Sequence, residues 1–288
     1  EPGRCGSVRL NRHQAMQVPN YQTLKLELRQ QVACVSLNRP DKANALNLTM
    51  WQELRQVFAW IDATPEVRVA VLQAEGSVFC AGIDLHMLTH LRQQIQHRCE
   101  GRSHEQLRRL ILDLQDVVNS LERCRKPVLA AIHGACIGAG VDLVCCADMR
   151  YGAGDASFCV KEIDLGMTAD VGTLQRLPRL IGDGMARELA YTARTVDAPE
   201  ALRLGLLNRV FDSVPDLHRG VFDLALQIAA KSPLAVRGAK EAMTYARDHS
   251  VADSLNQIAT WNAAMLMSED LQEAITARTE RRSPHFQD

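Results

Sequence analysis

An α/β core carrying an all-helical tail is the fold class this sequence predicts. Three observations predict it. Strand-like and helix-like stretches alternate from Tyr21 to about residue 212. The segment KPVLAAIHG is apolar almost throughout, as expected of a strand covered on both faces. After Leu206 to Phe211 the strand pattern stops, and residues 213–288 read as helices only. The chain has 288 residues, 47% of them hydrophobic and 23% charged, an ordinary globular balance. A net charge of −1 makes no electrostatic case for nucleic acid or an anionic membrane. No apolar run is long enough to span a bilayer.

Each element has a local reason. Residues 1–20 read as a loose N-terminal arm. From Tyr21, Leu24, Leu26 and Leu28 alternate with Lys25, Glu27 and Arg29 at strand period, and the segment to Pro40 reads as a hairpin. Thr49 and Gln52 form a T-x-x-Q capping box, followed by a helical stripe of Met50, Leu54, Val57, Phe58 and Ile61 that Pro65 closes. VRVAVLQA is a buried strand. Leu85 to Lys126 reads as helical, with a second capping box at Ser103 and Gln106. MRYGA and ASFCV are further short strands. In the tail, Ser232–Pro233 starts a helix with proline in its first turn. Ser268, Glu269 and Asp270 start the last one, with acids at the positive end of its dipole. The resulting division is 1–20, 21–212 and 213–288. A helical tail of this kind packs on a neighbouring subunit, so an oligomer is expected.

The nine cysteines are odd in number, form no CxxC pair and lie mostly in apolar context. That favours a reducing compartment over a disulfide scaffold. The polar N-terminus lacks the apolar core of a secretory signal. Its Arg4, Arg9 and Arg12 leave a trimmed organellar leader open, and the terminal HFQD is not a peroxisomal address of the SKL type. Cytoplasm is the expectation, with a mitochondrial or peroxisomal matrix as the alternative.

Chemistry concentrates between Gly134 and Pro178. Asp142, Glu162 and Asp170 stand there in Gly- and Ala-rich or apolar surroundings, where acids are unwelcome unless paired or used. Each also has a plain reading. Asp142 would be a first-turn helix acid, Asp170 the N-cap of VGTLQRLPRLIG, and Glu162 a solvated partner of Lys161. Asp84 and Asp148 read as structural. Two Gly-rich turns, Phe79–Leu85 and His133–Asp142, are the places where a ligand approaches backbone N–H groups closely. Two such donors aimed at one point hold an oxyanion. Neither turn is a GxGxxG fingerprint or a P-loop. His86, His90, His97 and His104 fall at roughly helical spacing, but no acid or cysteine joins them at metal-site spacing, so no metal is expected.

SLNRPDKANALN, GSVFCAGIDL, KPVLAAIHGACIGAGVDLVCCADMR, TLQRLPRLIG and SEDLQEAITARTERRSPHF, in that order and spacing, resemble the crotonase (enoyl-CoA hydratase/isomerase) superfamily from about Tyr21 to Phe286. The resemblance implies a spiral of ββα turns followed by a helical trimerisation region, with trimers or trimers paired into hexamers. It implies an acyl-CoA thioester as ligand, with coenzyme A part of the substrate and no separate cofactor. It places the two oxyanion donors at the N–H groups of Ile83, after Gly82, and Ala139, after Gly138. Two positions depart from the family. His86 stands where a CoA-contacting Lys is usual, and Arg278 where a Phe is common. The combination Asp142, Glu162 and Asp170 in KEIDLGMTADVGTLQRLP resembles the Δ3,5-Δ2,4-dienoyl-CoA isomerase branch. That reaction removes a proton from C2 and returns one at C6, which suits two acids on opposite sides of a pocket. On that reading Asp170 is the base at C2, Glu162 the acid at C6, and Asp142 orients Glu162. The alternatives are a 2-enoyl-CoA hydratase using Asp142 and Glu162, and a non-catalytic acyl-CoA-binding relative.

Overall fold

A computed structural model describes residues 18–95 and 97–288, so most of the arm at 1–20 lies outside the described residues. The first turn of chain is the hairpin of β1 (Leu24–Arg29) and β2 (Val32–Leu37), followed by α1 (Leu48–Ala63). Next come β3 (Val69–Ala74), α2 (Leu85–Gln94) and α3 (Glu100–Arg123). The third unit is β4 (Val128–Ile132), β5 (Ala135–Ile137) and α4 (Ala139–Cys146). The fourth is β6 (Met149–Ala153), β7 (Ser157–Cys159), a 3-10 turn at Glu162–Leu165, α5 (Thr173–Ile181) and α6 (Asp183–Thr192). Then follow β8 (Val196–Asp197), α7 (Ala198–Leu204) and β9 (Arg209–Phe211). The tail is α8 (Val214–Ala229), α9 (Pro233–Ala246), α10 (Val251–Met265) and α11 (Glu269–Thr279).

The strands sort into two sheets. One runs β1-β2-β3-β4-β6-β9, parallel except for the opening hairpin. The other is β5-β7-β8. The third and fourth units each add a strand to the large sheet and then step across to the small one, the pattern of the expected ββα spiral. The large sheet has apolar residues on both faces. Ala33, Val35, Ala70, Leu72 and Ala130 pack inward with α1 and α3. Val32, Cys34, Val69, Val71 and Leu129 pack against Leu217, Val221, Ala225 and Ala229 of α8. Both sets leave water, which is why these strands read as continuous apolar runs.

Three local expectations need correction. The N-cap of α1 is Asn47, whose Oδ1 accepts from Met50 N–H at 2.9 Å, rather than Thr49 two residues later. Asn is at least as good a cap as Thr, and it sits directly before Leu48, the first helical residue. Leu85 to Lys126 is two helices rather than one. Ser103 lies inside the second, and its Oγ accepts from His97 N–H at 3.0 Å, tying the connecting loop to α3. The tail starts behaved as read: Ser232 and Ser268 cap α9 and α11 through the N–H groups of Ala235 and Leu271.

The step from β4 to β5 brings the second Gly-rich turn toward the first, and it turns on Gly134. Its φ is +57°, and a Cβ there would lie 2.1 Å from Ser77 O. Gly134→Ala is expected to destabilise the fold by about 3 kcal/mol, from left-handed strain plus overpacking. Urea denaturation of the variant against the parent checks this.

Candidate functional site

The two Gly-rich turns are stitched together by backbone. Cys80 N–H donates to Ala135 O at 3.0 Å, and Ile137 N–H donates to Cys80 O at 2.9 Å, a one-residue parallel bridge. Gly140 permits the contact, since a Cβ there would sit 2.9 Å from Cys80 Cβ. A Cβ on Gly82 would stand 3.1 Å from Ile137 O and 3.7 Å from Ala139 N, so the turns touch where the expected donors lie. Gly82 and Gly138 have φ of +96° and +52°, which side chains disfavour.

Both donors are left available by their secondary structure. Leu46 N–H donates to Gly82 O at 2.8 Å, and Asp84 N–H donates to Leu46 O at 3.0 Å. Leu46 thus bonds to the residues on either side of Ile83, so the N–H of Ile83 faces away from it. Ala139 is the first residue of α4, and a helix gives its first N–H groups no internal partner. Asp84 pins this turn from behind, as read. It pairs with Arg39 at 3.1 Å and accepts from His86 N–H at 3.0 Å. Asp148 is likewise structural, held by Lys240 at 2.8 Å.

Gly82, Ile83, Gly138, Ala139, Glu162 and Asp170 line one cavity of about 680 Å³. Its remaining walls are mostly apolar, with Trp51 from α1, Leu85 and Leu88 from α2, and Leu107, Leu110, Ile111 and Leu114 from α3, joined by Lys161 and Thr168. Trp51 was not singled out by the sequence reading, although it lies beside the apolar stripe of α1. Glu162 opens the 3-10 turn and does not pair with Lys161, which binds Asp164 instead at 2.5 Å. A Cβ on Gly138 would come 3.3 Å from Glu162 Oε1, so the glycine gives the carboxyl its place. Oε2 of Glu162 is buried without a hydrogen-bond partner. Burial pushes the Glu162 carboxyl above its usual range, and the charge of Asp170 adds to the rise.

Asp170 is not the cap of the helix after it. That position belongs to Gly172, and α5 starts at Thr173. The Asp170 loop is fastened to α3 by Gln115 Nε2, which donates to Asp170 O at 2.6 Å. Burial raises the Asp170 carboxyl too. Asp170 also borders a second cavity of about 420 Å³, whose walls include Asn119, Glu122 and Arg176. It therefore stands between an apolar chamber and a polar one.

Asp142 does not line the substrate-sized cavity. It is in the first turn of α4, as read, and fully buried. Gly172 has no side chain to cap α5, and Asp142 does that work from the neighbouring helix. Its Oδ1 accepts from Thr173 N–H at 2.6 Å and from Thr173 Oγ1 at 2.7 Å. Oδ2 has no partner. Burial pushes the Asp142 carboxyl up to about 7, the Thr173 bonds pull it down, and Glu162 and Asp170 push it up again.

His86 is exposed in the first turn of α2 and Arg278 is exposed in α11. The expected histidine set is spread over α2, α3 and their connection. Among the described residues, no group of three or more His, Cys, Asp or Glu side chains is arranged to hold a metal ion.

Burial raises the folded Asp142 carboxyl to about 7 from its ordinary value of 3.8. Between those values the folded chain holds the extra proton, so its stability falls as pH rises. Asp142→Asn keeps the Oδ1 acceptor for Thr173 and removes the buried charge. The variant should match the parent near pH 4 and exceed it by about 4 kcal/mol at pH 8. Denaturation curves at the two pH values test this.

The pattern of the enoyl-CoA hydratase/isomerase family matches residues 27–288. The chain is 45% identical over 275 residues to the Delta(3,5)-Delta(2,4)-dienoyl-CoA isomerase, peroxisomal, of Arabidopsis thaliana, covering 94% of this chain and 99% of that protein. It is 45% identical over 265 residues to the mitochondrial Delta(3,5)-Delta(2,4)-dienoyl-CoA isomerase of Homo sapiens, covering 91% of this chain and 81% of that one. Among solved structures, an enoyl-CoA hydratase from Bacillus anthracis superposes with a TM-score of 0.84 at 32% identity, covering 92% of this chain and 99% of that one. With the ββα spiral, the paired turns and these relatives together, the chain belongs to the enoyl-CoA hydratase/isomerase family.

Proposed function

We propose that this protein is a Δ3,5-Δ2,4-dienoyl-CoA isomerase of fatty-acid β-oxidation. The observation that carries this reading is Asp170. A second acid lines the same apolar cavity as Glu162 and the two turn donors. The relatives at 45% identity bear that activity in their names.

The chemistry follows from the arrangement. The thioester oxygen accepts from the N–H groups of Ile83 and Ala139, which stabilise the enolate as it forms. Asp170, ionised, takes the C2 proton. Glu162, held protonated by its surroundings, returns a proton at C6. The two carbons are four bonds apart, so one carboxylate does not serve both. Asp142, whose own carboxyl is raised to about 7 by burial, orients or electrostatically tunes Glu162. Coenzyme A arrives as part of the substrate, and no further cofactor enters.

A 2-enoyl-CoA hydratase is the second reading, favoured by the name of the superposed Bacillus anthracis structure. It needs two carboxylates gripping one water beside the substrate. Asp142 is absent from the cavity wall, and its Oδ1 is occupied by Thr173. A non-catalytic acyl-CoA-binding role leaves Glu162 and Asp170 on the cavity wall without a use.

Self-association as a trimer or hexamer belongs to this reading, with the region from residue 213 supplying the contact. Helix α10 has no buried residue, and Val251, Leu255, Met267 and Ile275 expose 78%, 63%, 90% and 59% of their surface. Apolar side chains so uncovered mark a face that a subunit covers. The compartment words in the relatives' names support the mitochondrial or peroxisomal matrix over the cytoplasm.

Purified protein is offered a 3,5-dienoyl-CoA, and the ultraviolet band of the conjugated 2,4-dienoyl product is followed. A 2-enoyl-CoA is offered in parallel. Asp170→Asn should lower kcat for isomerisation by about 10²- to 10⁴-fold with an unchanged circular dichroism spectrum. Hydration without isomerisation, or full activity in the variant, would sink the assignment. Sedimentation should give the mass of three or six chains, and Leu255→Glu with Ile275→Glu should lower it.

A further inference from the structure

We propose that the polar chamber behind Asp170 is a solvent channel, through which this base hands the C2 proton to water while the substrate is still bound. The inference rests on the isomerase reading and gives a role to a chamber which that reading leaves unused.

Three observations carry it. Asp170 lines both the apolar cavity of about 680 Å³ and the second one of about 420 Å³, whereas Glu162 lines only the first. The second chamber is walled by hydrogen-bonding side chains, among them Gln115, Asn119 and Gln175. A polar space of that size holds water, on the order of ten molecules. All three arginines of its wall are paired with other acids: Arg176 and Arg247 with Glu122, and Arg179 with Asp248. The Asp170 carboxylate is therefore left to water rather than locked in an ion pair. The Arg179–Asp248 pair also marks the way out, since its two side chains are 52% and 63% exposed.

The proton count gives such an exit its use. Each turnover breaks C2–H and forms an O–H on Asp170. It breaks an O–H on Glu162 and forms C6–H. Asp170 thus ends one proton richer and Glu162 one poorer. With the acyl chain lying in the apolar cavity, the chamber behind Asp170 remains its path to water. The Asp170 O–H gives its proton to a water there, and the electron pair stays on the carboxylate. Glu162 recovers its proton from solvent once product leaves.

The test is carried out in heavy water with a 3,5-dienoyl-CoA and the Glu162→Gln protein. That substitution blocks delivery at C6, so label at C2 reports the first half of the reaction alone. Each time the enolate reverts, an exchanged Asp170 returns a deuteron, and proton NMR of the recovered substrate should show deuterium at C2. Adding Asp170→Asn gives the baseline. Two plugs then close the chamber from different helices, Gln175→Phe on α5 and Asn119→Leu on α3. In the Glu162→Gln background each should cut C2 exchange about tenfold. With Glu162 intact, the same plugs should change kcat far less, because Asp170 then resets when product departs. Gln175 is exposed, so Gln175→Phe carries the comparison should Asn119→Leu not fold. A parent that forms no 2,4-dienoyl product overturns the isomerase reading and this proposal with it. A parent that forms product, beside a Glu162→Gln protein that places no deuterium at C2, overturns this proposal alone. So does C2 exchange that neither plug lowers, or a plug that lowers kcat and exchange equally, since a displaced Asp170 would then explain both.

Discussion

The short pairing of Cys80 with Cys136 is the constraint on which the site depends. Two backbone bonds, at 3.0 and 2.9 Å, join the turn after β3 to the turn after β4. Without them Ile83 and Ala139 belong to separate segments more than fifty residues apart in sequence. The pairing is possible because Gly134 lets the chain step toward Ser77 and Gly140 lets Cys80 lie against α4. Burial of both thiols keeps the region dry. A dry region strengthens any hydrogen bond aimed at a developing charge.

The same dryness sets the behaviour of the acids. Asp142, Glu162 and Asp170 are each raised, first of all by burial. They differ in what offsets it. Asp142 has Thr173, Glu162 has backbone donors of its own turn, and Asp170 meets a polar chamber on its far side. Environments that separate like groups are how one site holds an acid and a base together at one pH. The cost is a folded state that holds protons which the unfolded chain releases.

Much of this was legible before any coordinates. The acids stood out because Gly- and Ala-rich or apolar segments rarely carry unpaired carboxylates, and the turns stood out because small residues clustered at strand-to-helix junctions. The serine starts of α9 and α11 were readable from the capping chemistry alone. What escaped was whatever depends on chain crossing space. Asp142 and Thr173 are 31 residues apart, and no local pattern says that one caps the helix of the other. Asp170 looked like a helix cap because an aspartate two residues before an apolar stripe usually is one. Gly172 took that position, and Asp142 took over its bonding. The break between α2 and α3 carries no proline, and its tether from His97 to Ser103 joins a backbone group to a side chain six residues on.

The proposed oxyanion donors at Ile83 and Ala139 are main-chain groups, and this has a consequence for how such a site would change over generations. A backbone N–H survives replacement of its own side chain. Positions 83 and 139 are therefore open to drift, and each change there reshapes the cavity wall without touching the oxyanion contacts. Gly82 and Gly138 have no such freedom, because their left-handed backbone makes the geometry. Substrate range and chemical power are thus written in neighbouring but separate residues. A lineage can explore the first while inheriting the second intact.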